Sequence, residues 1–174
     1  RLDVAAFRDG ARATPGLAYC FVNDGSRDRT LEVLQALVRE LPGRAAVLDL
    51  PRNSGKAEAV RQGLLTVLGW DVKAAGFWDA DLATPLSELP RFREVLAERP
   101  QVEVVIGSRV RLLGRRIERR AARHYLGRVF ATGASLTLGL PVYDTQCGAK
   151  LLRATPLVRE LFAAPFLTRW VFDV

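Results

Sequence analysis

Residues 74–86, AAGFWDADLATPL, decide how this chain is read. A short apolar run with two aromatics ends at Asp79-Ala80-Asp81. Its length and composition predict a buried strand. Pro85 suits the first turn of a following helix, with Thr84 as its N-cap. Both aspartates then fall at the carboxyl end of a strand, where open α/β sheets bind ligands. Two hard carboxylates there suit Mg²⁺ or Mn²⁺ held jointly with phosphate oxygens. Taken alone, a solvated strand-end turn explains the same residues, so the rest of the chain must decide.

Outward from this stretch, strands and helices alternate. Leu17 to Val22 and Ala45 to Leu50 read as strands, and Val102 to Ile106 as a further one. Helical spacing is clear over about Arg29–Leu41, through Leu31, Leu34, Leu37, Val38 and Leu41. It recurs over about Lys56–Leu68, through Ala57, Val60, Leu64, Leu65 and Leu68, and a helix is expected from Pro85 to about Glu98. Residues 2–13 have the pattern of a helix end, closed by Thr14-Pro15-Gly16. Cys147 to Leu152 suits one more strand, and Thr155-Pro156 starts a short helix. The alternation predicts an α/β fold, a mostly parallel Rossmann-like sheet with helices on both faces.

The 174 residues suit one domain with a sizeable core. Hydrophobic residues make up 49% and charged residues 26%, which excludes a disordered chain. No run approaches the ~20 apolar residues of a membrane span, and no signal peptide is visible. The chain opens on Arg1-Leu2-Asp3, holds no Met, and stops at Phe172-Asp173-Val174 inside a continuing pattern. We therefore expect one domain over 1–174, soluble as it stands and trimmed at both ends. Cys20 and Cys147 have neither metal-ligand nor disulfide spacing, and free thiols are expected.

The net charge of +7 favours anionic partners: nucleotide, phosphate, acidic membrane or nucleic acid. Eight arginines fall within residues 109–128. They could bind nucleic acid, but they lack aromatic interleaving except Tyr125 and match no nucleic-acid module; a phosphate head group and an anionic membrane surface are the alternative. Several of these arginines can equally form a merely solvated basic face.

Three further turns carry candidate chemistry. In Asn23-Asp24-Gly25-Ser26 the carboxylate of Asp24 can accept from a base or ribose, or simply cap a helix. In Asn53-Ser54-Gly55-Lys56 the backbone N–H groups and the ammonium can meet a phosphate at a helix start, or form a loop with no ligand. Asp144 can act as a base, steer a nucleophile, or serve as a turn residue.

Taken together, V-N-D-G-S-x-D-x-T, N-x-G-K-x-x-A-V-R-x-G, D-A-D, G-S-R and D-T-Q-C-G-A-K, in this order, resemble the family 2 glycosyltransferases of the GT-A fold. The likeness is greatest to polyprenyl-phosphate (dolichyl-phosphate) enzymes. Asp144 to Lys150 and Trp170 to Val174 look most like dolichyl-phosphate β-glucosyltransferases. The resemblance implies a metal-dependent, inverting hexosyltransferase at the cytoplasmic face of a membrane, with Mg²⁺ or Mn²⁺ as cofactor. It would move glucose from UDP-glucose to a polyprenyl phosphate, with no nucleic-acid partner.

Residue by residue, the resemblance gives Asp24, Asp79 and Lys56 to the donor nucleotide, and Asp79 and Asp81 to the metal. It gives Arg109 and Arg123 to donor or acceptor phosphates, and Asp144, with Asp81, to the reacting centre. Two departures stand out. These enzymes usually begin with a strand carrying P-x-Y-N-E, and this sequence starts just after where that strand should be. Ala83 stands where the mannosyl branch often has a metal-binding Gln. The alternatives are a GDP-mannose donor, a hydroxyl acceptor, or a non-catalytic basic module for nucleotide or nucleic acid.

Overall fold

The computed structural model describes residues 2–108, 145–170 and 172. Arg109, Arg123 and Asp144 lie outside the described residues.

Helix α1 spans Val4–Ala13, and the Asp3 carboxylate caps it by accepting the Ala6 N–H at 3.0 Å. The amphipathic pattern expected as a helix end is thus a complete short helix with its own start signal. Strand β1 (Tyr19–Asp24) pairs in parallel with β2 (Ala45–Leu50), in a register that sets Asp24 opposite Leu50. Helix α2 (Thr30–Glu40) connects them, its first residue held by the Asp28 carboxylate at 3.0 Å. Helix α3 covers Lys56–Leu68, the bounds its apolar spacing predicts.

Strand β3 (Ala74–Trp78) stops just before Asp79. The helix expected from Pro85 starts later. A 3-10 turn fills Leu86–Glu88 and helix α4 runs over Leu89–Glu98. Pro90 explains the delay: in the first α-helical turn its missing N–H costs nothing, whereas deeper in a helix its ring would strike the carbonyl of Leu86. Thr84 is consequently not a helix cap. Its hydroxyl lies 3.6 Å from Cys147 Sγ, and its carbonyl accepts the Trp78 indole N–H at 2.7 Å.

Strand β4 is short (Val104–Ile106), and β5 (Ala149–Arg153) runs antiparallel to both β3 and β4, lying between them. β3 and β4 therefore point the same way. The described strands form a parallel pair β1–β2 and a three-stranded sheet β3–β5–β4. Helix α5 (Pro156–Leu161) follows, capped by Thr155.

Side-chain alternation explains why helices cover both faces. On β5, Leu152 packs with Leu64 and Leu68 of α3 and Val158 of α5, while Ala149 and Leu151 pack with Leu89, Phe92 and Leu96 of α4. On β1, Phe21 packs with Phe7 of α1 and Leu34 and Leu37 of α2. Val22 points instead towards Gly63 of α3. Each fully buried leucine in these clusters contributes about 1.5–3 kcal/mol. Cys147 is buried, Cys20 is half-buried, and both are free thiols. Burial pushes the Cys20 thiol up.

One charged group sits inside this packing. Arg61, only 8% exposed, donates to both carboxylate oxygens of Glu58, at 2.8 and 2.7 Å. It also donates to the carbonyls of Phe162 and Ala163, at 3.1 and 3.2 Å. Hydrogen bonding from Arg61 outweighs burial and, with Gln62, holds the Glu58 carboxyl down at about 2, from 4.5. A depressed carboxyl stabilises the fold above its unfolded value and stops doing so as pH falls through its folded value. Between pH 5 and pH 2 the protein is expected to lose about 2 kcal/mol from this group, after allowance for partial solvent screening. Denaturant midpoints measured across that range check it. Glu58→Gln should remove this contribution to the slope, and an unchanged slope would refute the assignment.

Candidate active site

The carboxyl ends of β1 and β3 carry Asp24 and Asp79, and the loop before α3 joins them. Asn23, buried at 3% exposure, donates from Nδ2 to Asp49 Oδ1 at 2.7 Å and steadies the end of β1. The next residue, Asp24, turns its carboxylate onto the α3 entry loop. Oδ1 accepts the Ser54 N–H at 2.7 Å and Oδ2 accepts the Gly55 N–H at 2.9 Å. Asn53 adds a bond to the Asp24 carbonyl at 3.2 Å. Gly25 has φ +62°, and a Cβ there would come within 2.4 Å of the Arg52–Asn53 backbone. Only glycine lets the two loops touch here.

This arrangement bears on the two readings of the α3 entry loop. The Ser54 and Gly55 N–H groups do not face an open phosphate site, because Asp24 holds them. The Ala57 N–H, in the first turn of α3, bonds the Arg169 carbonyl at 3.0 Å. Arg169 also lays its guanidinium along the carbonyls of Ser54 and Asn53, each at 3.4 Å. Asp24 and Arg169 thus fill the acceptor role that one of the two readings gave to a phosphate.

With the loop fixed, Lys56 reaches β3. Its Nζ lies 2.8 Å from Asp79 Oδ1 and 3.0 Å from Oδ2, with both side chains roughly 70% covered, at 28% and 31% exposure. Asp79 is held in turn by its backbone, whose N–H donates to the Gly148 carbonyl at 2.6 Å. A Cβ at Gly148 would come 1.9 Å from Asp79 Oδ2. Beyond Asp79 the chain turns tightly. The Leu82 N–H bonds the Asp79 carbonyl, and Asp81 Oδ1 accepts the Ala83 N–H at 3.0 Å. Leu82 takes φ +52°, which is uncommon for a bulky residue and marks local strain. Asp81 is exposed at the tip.

The structure therefore gathers Asp24, Lys56, Asp79 and Asp81 at one end of the strands. Among the described residues no group of three or more His, Cys, Asp or Glu could hold a metal. Asp79 and Asp81 supply two hard carboxylates, which fit Mg²⁺ or Mn²⁺ when a diphosphate provides further oxygens. Lys150 is 5% exposed and donates to the Thr145 carbonyl at 2.6 Å, with its Nζ 5.5 Å from the centre of the Phe77 ring. It anchors the chain at Thr145.

Gly148 and Arg169 were not singled out in the sequence. Gly148 sits within the quoted D-T-Q-C-G-A-K, yet only the pairing of β3 with β5 shows why a glycine is needed. Arg169 carries no local signal.

A model of the family described as glycosyl transferase family 2 matches residues 11–159. The chain belongs to glycosyl transferase family 2. The α/β architecture, with helices on both faces and acidic residues at the strand ends, agrees with the GT-A type expected. Among curated relatives, the dolichyl-phosphate beta-glucosyltransferase of Drosophila melanogaster is 31% identical over 182 residues, covering 98% of this chain and 54% of the relative. That of Mus musculus is 33% identical over 159 residues, covering 88% and 48%. That of Dictyostelium discoideum is 31% identical over 160 residues, covering 88% and 47%. This family 2 chain thus spans about half the length of the curated relatives it matches. Among its described residues no helix is long and apolar enough to cross a membrane.

Proposed function

We propose that this family 2 glycosyltransferase moves glucose from UDP-glucose to a dolichyl or other polyprenyl phosphate at a membrane surface, with inversion and with a divalent metal. The observation that carries the reading is the clustering of Asp24, Lys56, Asp79 and Asp81 in a chain about 30% identical to dolichyl-phosphate beta-glucosyltransferases over most of its length.

Asp79 and Asp81 would hold Mg²⁺ or Mn²⁺, which when bound neutralises the diphosphate leaving group. Asp24 fixes the loop that delivers Lys56, so its contribution to donor binding includes building the site. Ala83 brings no side-chain ligand and offers its backbone N–H to Asp81. A phosphate monoester has its second pKa near about 6 and is largely ionised at neutral pH, so attack on the anomeric carbon needs no strong base. Arg109 and Arg123 would position that dianion through bidentate bonds. Asp144 would orient the donor rather than remove a proton.

Calorimetric titration of UDP-glucose and GDP-mannose, each with and without Mn²⁺, tests the donor. Radiolabelled transfer to dolichyl phosphate tests the acceptor. Metal-dependent binding of UDP-glucose with glucosyl transfer is the expected result. Preference for GDP-mannose, or absence of transfer to the lipid phosphate, would refute the respective half. Asp81→Asn should lower turnover by ~10-fold or more with unchanged far-UV circular dichroism, because a carboxylate ligand is lost while the turn to Ala83 is kept. Wild-type turnover in that variant would remove Asp81 from the metal.

A further inference from the structure

The Lys56 ammonium spans both oxygens of Asp79, at 2.8 and 3.0 Å. That is the face of the carboxylate a cation would use. Lys56 is not a loosely placed surface lysine. It follows directly on two residues whose N–H groups the Asp24 carboxylate holds, and it begins α3, whose first turn is closed by the Arg169 carbonyl. Among the described residues no other side chain pairs with the Asp79 carboxylate. An ammonium and a divalent ion on one carboxylate repel one another, and the repulsion is large in a partly covered site.

We propose that Lys56 occupies the metal's place on Asp79 in the nucleotide-free protein and transfers to the diphosphate when the donor binds. The inference rests on the metal reading proposed above and adds an order to it. The free protein excludes the metal, and metal and nucleoside diphosphate enter as a unit. An incoming diphosphate offers Lys56 a richer set of anionic oxygens than Asp79 does, and its release of Asp79 frees a ligand for the ion. By linkage, UDP must raise the affinity for metal by the same factor that metal raises the affinity for UDP.

The test is uptake of Mn²⁺, read from the loss of the free-ion electron paramagnetic resonance signal, with and without UDP. It compares the wild type with Lys56→Met and Lys56→Arg. Wild type should bind Mn²⁺ alone weakly and about tenfold more tightly with UDP, within the ordinary range of coupling. Lys56→Met should bind Mn²⁺ alone about tenfold more tightly than wild type, and its gain from UDP should shrink. Lys56→Arg keeps the cation and should keep the wild-type weakness. A Lys56→Met protein no better at binding Mn²⁺ alone, while UDP still promotes uptake, overturns the exchange and leaves the metal–diphosphate site standing. Failure of every protein to take up Mn²⁺ even with UDP overturns both. A merely structural lysine cannot raise metal affinity when removed.

Discussion

Gly148→Ala is expected to reduce donor binding and turnover ~100-fold while leaving a folded protein. The new methyl would sit 1.9 Å from Asp79 Oδ2 and 2.1 Å from its carboxyl carbon, far inside contact distance. The least costly relief is rotation of the Asp79 side chain, since Gly148 and Asp79 are tied through their backbones at 2.6 Å. That rotation breaks the contact with Lys56 and turns the carboxylate away from the site. The strain and lost ion pair cost about 1–2 kcal/mol, or some 2–8 °C in a domain of this size. The loss of function exceeds that expected for Asp81→Asn because two groups are displaced together. Asp79→Ala combined with Gly148→Ala should be no worse in turnover than Asp79→Ala alone, as expected of residues acting through one group. Additive losses in that cycle would show that Gly148 acts elsewhere.

Arg61→Met should lower stability by about 3 kcal/mol, near 6–12 °C in Tm. Methionine retains the apolar stem and little of the packing changes. It removes the guanidinium from Glu58 and from the carbonyls of Phe162 and Ala163. Glu58 keeps partial access to water, which places the cost at the low end for breaking a buried pair. The carbonyls at the end of α5 lose a cation suited to a helix C-terminus. Thermal unfolding of the variant, with Arg61→Lys as a partial rescue, measures it. A shift below 2 °C would show that α5 is anchored by its apolar contacts alone.

The elements legible from sequence are those whose signals are local. Helix α3 shows its inward face in Ala57, Val60, Leu64, Leu65 and Leu68, and its bounds follow. β2 likewise covers Ala45–Leu50, the bounds read from its apolar run. Thr84 was misread because Thr-Pro is a sound local start signal, while the competing signal, Pro90, lies six residues on. The strand-end aspartates were visible as acids closing apolar runs. Their partners were not. Asp24 meets Ser54 and Gly55 some 30 residues away, and Asp79 meets Gly148 across a sheet pairing that no periodicity announces. The entry loop of α3 stayed open between a phosphate site and a ligand-free loop for the same reason. Free N–H groups are a local property, whereas their capture by Asp24 and Arg169 is a tertiary one.

The bond from Ala57 to Arg169 also bears on how the site comes into being. The two residues are 112 positions apart, so closing that contact requires all the residues between them. Contacts of such long separation form late, after loop-closure entropy has been met by other packing. On a ribosome, β1, β2 and α3 emerge well before Arg169, and the loop bearing Lys56 stays without its final brace until then. Synthesis therefore delivers this scaffold before the residue that braces the α3 entry loop. A nascent chain stalled short of Arg169 would keep its early strands yet lack the brace that sets Lys56 against Asp79.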